Sequence, residues 1–154
     1  MRTVLRNADE VSHIWAQQTQ HHGRTPTRHC YFNGDRLFSY GSHYLTARIH
    51  TAVDGSRFAF INEHRYSMAT NKHRIAAIDA VRGLMPYFVV ADPCTLPRSY
   101  ADVQAMYDSR INDALAKSLR AWKYADGHFA EAVRMVTEAN VLMALCGITG
   151  EPFA

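Results

Sequence analysis

The stretch HCYFNGDRLFSYGSHYLTARIHTAVDGSRFAFIN, residues 29–62, decides the fold. It contains four short segments of strand character, His29–Phe32, Arg36–Tyr40, Tyr44–Thr51 and Arg57–Asn62. The first two are joined by Asn33-Gly34-Asp35 and the last two by Val53-Asp54-Gly55-Ser56, both tight-turn signals. Consecutive short connections predict an antiparallel meander of four strands. In the third segment Leu45, Ala47 and Ile49 alternate with Thr46, Arg48 and His50, which predicts one buried face and one basic, wet face.

On the N-terminal side, Asn7 followed three residues later by Glu10 resembles a capping box, and Val11, Ile14, Trp15 and Gln18 share a helical face. A helix is predicted over about residues 8–20, ending in the polar HHGRTPT stretch. On the C-terminal side the apolar period changes from two to that of a helix. Ser67 or Thr70 can cap a helix running to about Arg82, with Ile75, Ile78 and Val81 inward and Gly83 as its stop. Residues 86–93 form a short apolar run between prolines, either a fifth strand or a buried extended connector. Ser99 with Asp102 starts a long helix through Tyr124, in which Val103, Met106, Tyr107, Ile111, Ala114, Leu115 and Trp122 fit the helical spacing. Asp126-Gly127 is the expected break, and a last helix is expected from about His128 to Cys146.

The predicted fold class is therefore α+β: an N-terminal helix, a four-stranded antiparallel meander, a helix and then a C-terminal helical hairpin. A basic unit over residues 1–85 precedes a connector and hairpin over 86–154, packed on it as a single compact domain. The length of 154 residues suits one domain, and 47% hydrophobic with 20% charged residues is enough to build a core. No apolar run approaches the ~20 residues that span a bilayer, and the N-terminus carries no signal-peptide core. A cytoplasmic address without membrane attachment is expected.

The net charge of +3 is unevenly spread. Residues 1–85 hold 11 Lys and Arg against 6 Asp and Glu, a net of +5, whereas residues 86–154 hold 6 against 8, a net of −2. Eight of the nine histidines also lie in the first part, and fourteen of the seventeen basic residues are arginine. Arginine's planar fork suits phosphate and carboxylate, so an acidic partner such as nucleic acid fits this half. Cys30, Cys94 and Cys146 show no metal or redox spacing and read as reduced structural thiols. His21-His22 with His29 nearby lacks the spacing of a convergent ligand set, so neither a metal nor a cofactor is expected.

Two clusters concentrate polar chemistry. In FSYGSHY (38–44) hydroxyls and an imidazole crowd around Gly41, either to stabilise a turn or to hold a ligand. In YSMATNKHR (66–74) a helix start carries Lys72 and Arg74, an arrangement that suits an anion, although Ser67 and Thr70 can simply cap the helix. With Trp15 in the first helix, SYGSHY (39–44) and YSMATNKH (66–73) resemble a domain pattern of small phage and mobile-element proteins, covering about residues 7–82. The resemblance implies a mobile-element context, with Trp15, Tyr40, Gly41, His43, Ser67, Thr70 and His73 as signature positions. It supplies no reaction, and Met68-Ala69 stands where that pattern is richer in hydroxyls.

The leading functional expectation is nucleic-acid binding, DNA or RNA. Arg36, Arg48, Arg57, Lys72 and Arg74 would hold the backbone, with His50 on the same sheet face and aromatic side chains stacking on bases. Trp15, Tyr40, Gly41, His43, Tyr66, Ser67, Thr70 and His73 would form a local pocket. A second expectation is a metal-independent endoribonuclease in which His43 and His73 serve as base and acid and Lys72 or Arg74 stabilises the phosphate. A third is an accessory protein that binds a host protein through the C-terminal hairpin. A homodimer is expected, with an exposed apolar patch on that hairpin as its simplest contact.

Overall fold

The computed structural model of the protein describes residues 1–42 and 44–153. The fold is mixed α+β. In chain order the elements are α1 (Ala8–Gln17), β1 (His22–Arg24), β2 (Cys30–Asn33), β3 (Arg36–Ser39), β4 (Leu45–Thr51), β5 (Arg57–Asn62), α2 (Met68–Val81), β6 (Tyr87–Val90), α3 (Tyr100–Arg120) and α4 (Ala125–Leu145). The chain divides into two compact units, one formed by Met1–Thr51 with Gly55–Thr95 and the other by Ala52–Asp54 with the chain from Leu96 onward.

The first unit is built on a six-stranded sheet in the order β1-β2-β3-β4-β5-β6. The expected meander is present as β2–β5, and four strands is an undercount by two. β1 escapes notice because His22-Gly23-Arg24 is three polar-flanked residues without alternation. Its backbone is held by antiparallel pairing to β2 and by the N-terminal segment, where Leu5 N–H donates to the Arg24 carbonyl at 2.8 Å and Arg24 N–H to the Thr3 carbonyl at 2.9 Å. The run at 86–93 supplies β6, which pairs parallel to β5, and α2 is the crossover that such a pairing requires.

α1 and α2 cover one face of the sheet. Val11, Trp15, Phe32, Leu37, Ile61 and Val81 are among the buried residues of the resulting core. Asn7 caps α1 by accepting from Glu10 N–H. The helix stops at Gln17 rather than near residue 20, because Gln18 adopts the left-handed conformation at φ 53° and closes the last turn. Its amide also donates to the Gly34 carbonyl at 2.9 Å, tying the helix end to the β2–β3 turn. Ser67 and Thr70 form a capping box at the start of α2. The buried side of α2 runs through Thr70, His73, Arg74, Ala77 and Val81, whereas Ile75, expected inward, is exposed. Small alanines let the helix lie close to the sheet, and the polar residues of that side find partners there.

The expected wet face of β4 is a correction of substance. Thr46 and His50 are buried, and Phe58, Phe60 and Phe88 lie buried on the same sheet face. His50 stacks on Phe58 at 5.6 Å between ring centres, and its Nε2 bonds the Pro93 carbonyl at 2.7 Å. Alternation of residue types in β4 reported polarity, but aromatic cross-strand neighbours on β5 and β6 decide exposure.

In the second unit α3 and α4 form the expected helical hairpin. Ser99 caps α3 by accepting from Asp102 N–H. The chain reverses at residues 121–124 rather than at Asp126-Gly127, and α4 begins at Ala125, with Ser118 Oγ donating to the Ala125 carbonyl at 2.9 Å. Gly127 falls inside the first turn of α4, where its entropic cost of about 1 kcal/mol does not end the helix. Trp122, expected on the packed face, is fully exposed.

Candidate functional site

The sheet face turned away from α1 and α2 carries two cross-strand rows at its β1 end. Arg24, Tyr31 and Phe38 are register partners on β1, β2 and β3. Two residues along each strand, on the same face, His22, Asn33, Arg36 and Arg48 form the second row. Tyr31 and Phe38 are half-buried and stack with ring centres 5.1 Å apart and planes inclined by 16°. Arg24, Arg28, Tyr31 and Asn33 help line an open groove of about 750 Å³, with Gly41 at its margin. An aromatic pair flanked by guanidinium groups is thus set on a rigid sheet, beside a concavity large enough for a nucleotide unit.

Asp35, in the β2–β3 turn, tempers this charge. Its carboxylate lies 3.4 Å from Arg48 Nε and 3.9 Å from Arg36 Nε. Arg48 also donates through a terminal nitrogen to the Cys94 carbonyl at 3.3 Å. The backbone of Asp35 is fixed from behind, because its carbonyl accepts from Trp15 Nε1 at 2.9 Å. Trp15 is therefore a fully buried core residue supporting the turn.

A second cluster lies at the His29 end of β2 and β3. Ser39 Oγ and His73 Nδ1 share a hydrogen bond of 2.6 Å, and both residues are buried. The Tyr40 ring stands 4.5 Å from that of His29 and 5.7 Å from that of His73. Tyr40 holds φ at 56°, and its N–H donates to the His29 carbonyl at 2.9 Å. Burial pushes the His73 imidazole below its ordinary pKa, and neighbouring His29 adds to the effect. His50 is lowered in the same direction, chiefly by its own burial.

The remaining predicted positions separate. Arg57 lies on the opposite sheet face from Arg36 and Arg48, since its register partner is Thr51 and it alternates with buried Phe58. Arg74 is buried, with Nε donating to the Asn62 carbonyl at 2.5 Å and a terminal nitrogen to Asn71 Oδ1 at 3.0 Å. Its guanidinium is committed to joining α2 to β5. Ser67 and Thr70 spend their hydroxyls on the helix cap. Lys72 is exposed in the first turns of α2, and Tyr66 is exposed against Tyr44 and His64. His43 lies outside the described residues. Among the described residues of the predicted pocket, Tyr40 and His73 are the two brought into ring contact.

Arg24, Arg28 and Tyr31 were not singled out in the sequence, and Phe38 entered only as the first residue of the FSYGSHY cluster. The Asn33-Gly34 turn does place Tyr31 opposite Phe38 once a hairpin is counted outward from it, so that pair was within reach. Arg24 was not, because β1 has no sequence signal of its own. Among the described residues no three His, Cys, Asp or Glu side chains converge as a metal site, and no helix is long and apolar enough to cross a membrane. Comparison of the chain with protein-family models, curated proteins and solved structures gives no match.

Proposed function

We propose that the chain binds single-stranded nucleic acid on the β1–β3 face, in the mobile-element context that the SYG-x-H and YS-x-x-T-x-x-H motifs suggest and at the cytoplasmic address expected from its composition. The observation that carries the reading is the stacked Tyr31–Phe38 pair in register with Arg24. A base laid on that pair would leave its phosphates near Arg24, Arg28 and Arg36, with Arg48 available when Asp35 releases it. Stacking on aromatic side chains serves any base, and the arginines supply the charge that holds the backbone.

Endoribonuclease action is less well served. His73 Nδ1 is occupied by Ser39 and its ring is covered by Tyr40, so it lacks the open access of a general acid or base. The test is fluorescence anisotropy with labelled single-stranded and duplex oligonucleotides across a salt series, with the RNA recovered and sized afterwards. Binding that prefers single strands and weakens with salt, with a log–log slope of about −2 for three phosphate contacts, supports the reading. Absence of binding at low salt overturns it. Shortened RNA would turn the assignment to the ribonuclease, and retention of a host protein in place of nucleic acid would turn it to an accessory factor.

A further inference from the structure

The α3–α4 hairpin has one charged side and one apolar side. Arg110, Asp113, Lys117 and Glu131 line a cleft of about 200 Å³ together with Ala114 and Met135. Ala114 and Ala132 are buried between the helices. At 100° per residue, the residue before each buried alanine and the residue after it point to opposite sides. Asp113-Ala114-Leu115 and Glu131-Ala132-Val133 obey the same pattern. Since Asp113 and Glu131 share the charged cleft, Leu115 and Val133 share the other side.

That other side is extended by Leu119, one turn beyond Leu115, and by Phe129, one turn before Val133. Trp122 follows in the connecting turn, three residues after Leu119. All five are exposed, Leu119 to 89% and Trp122 to 102% of their full surface. By the same spacing Asp108, seven residues before Leu115, and Asp126, three before Phe129, lie in line with this set on α3 and α4. The apolar area is on the order of 600 Å² per chain, at the upper end of what monomeric proteins leave in one patch. A stable two-fold contact buries ~800 Å² per partner, so a patch of this size would form most of one.

We infer that this side of the hairpin is the contact surface for a second copy of the chain, giving a homodimer closed by a four-helix bundle. Two features select a second copy. The patch offers equivalent stripes on two antiparallel helices, which a two-fold axis lays against each other, and its area is most of what such a contact needs. The inference is independent of nucleic-acid binding, which concerns the other unit of the chain.

Sedimentation or light scattering of the full chain at ~100 μM reads the outcome. The expected mass is twice 17.5 kDa, or 35 kDa. Leu119→Glu and Val133→Glu, both surface changes, should each weaken the dimer on the order of 100-fold, as placing a charge in the centre of an apolar contact requires. Leu84→Glu, at an exposed leucine of the other unit, should leave it intact. The chain has two tryptophans, and Trp15 is buried, so a red shift of emission on dilution reports Trp122 entering water. A single 17.5 kDa species at 100 μM overturns the inference, as does a 35 kDa species that survives both glutamate variants with native circular dichroism.

Discussion

Ser39 Oγ lies 2.6 Å from His73 Nδ1, joining the end of β3 to α2 across 34 positions of sequence. The pair resembles a nucleophile with its base, but Ser39 has no exposed surface. A hydroxyl that no substrate can reach is a structural partner, and its service is to keep a buried imidazole neutral and oriented.

Acid should therefore loosen the first unit. His73 and His50 both have folded pKa values below 6.5, so the unfolded chain takes up protons more readily than the native one. Their contribution to stability is fully present above pH 6.5 and is lost as pH falls from there through the folded values. Around His73 the relevant neighbours are His29 and Tyr40, and around His50 they are Arg48 and Asp35. Urea midpoints should be lower at pH 5.5 than at pH 7.5. A His50→Phe, His73→Asn double variant should flatten that difference, and an unchanged slope would remove both histidines as its source.

Ser39→Ala should cost about 1–3 kcal/mol at pH 7.5, since it deprives a buried imidazole nitrogen of its partner. Thermal or urea unfolding followed by circular dichroism measures it. Anisotropy with a single-stranded oligonucleotide should be unchanged at temperatures where the variant is folded, because Ser39 lies on the sheet face that α2 covers.

Asp35→Asn should tighten binding of single strands several-fold at low salt. The carboxylate now holds Arg48 at 3.4 Å and Arg36 at 3.9 Å, and the amide would remove the negative charge that competes for both guanidinium groups. The same anisotropy titration reads the gain, and a steeper salt slope should accompany it. Weaker binding in this variant would mean that Asp35 positions the arginines rather than competing for them.

Tyr31→Ala should weaken single-strand binding about 5- to 150-fold, the range set by one stacked base at ~1–3 kcal/mol. Arg74→Met should do the reverse of what its sequence position suggests. It should cost about 1–3 kcal/mol of stability by leaving the buried Asn62 carbonyl unpaired, while affinity stays as in the unmodified chain. Parallel unfolding and titration of the two variants separate a surface contact from a buried strut.

Gly23→Ala should destabilise the first unit by about 1–3 kcal/mol. A Cβ at that position would stand 2.7 Å from Phe32 Cε1 and 2.9 Å from Leu5 Cδ1, both in the core. A melting temperature equal to that of the unmodified chain would show that β1 can lift without cost.

What the sequence determined by itself was local. Asn7 and Ser99 cap the helices expected of them, and Ser67, one of two candidates, caps α2 with Thr70 as its partner, because a cap is a contact between residues three apart. The β2–β5 meander followed from its short turns for the same reason. Tertiary structure decided what depends on distant partners. β1 is a strand only because β2 and residues 3–5 hold it, and β6 is one only because α2 returns the chain beside β5. It also divided the arginines. Arg36 and Arg48 meet as register partners, Arg57 turns to the other face, and Arg74 enters the core because Asn62 and Asn71 await it. Charge is written in the sequence, but the desolvation and pairing that decide how a charge is used are set by neighbours the chain reaches only on folding.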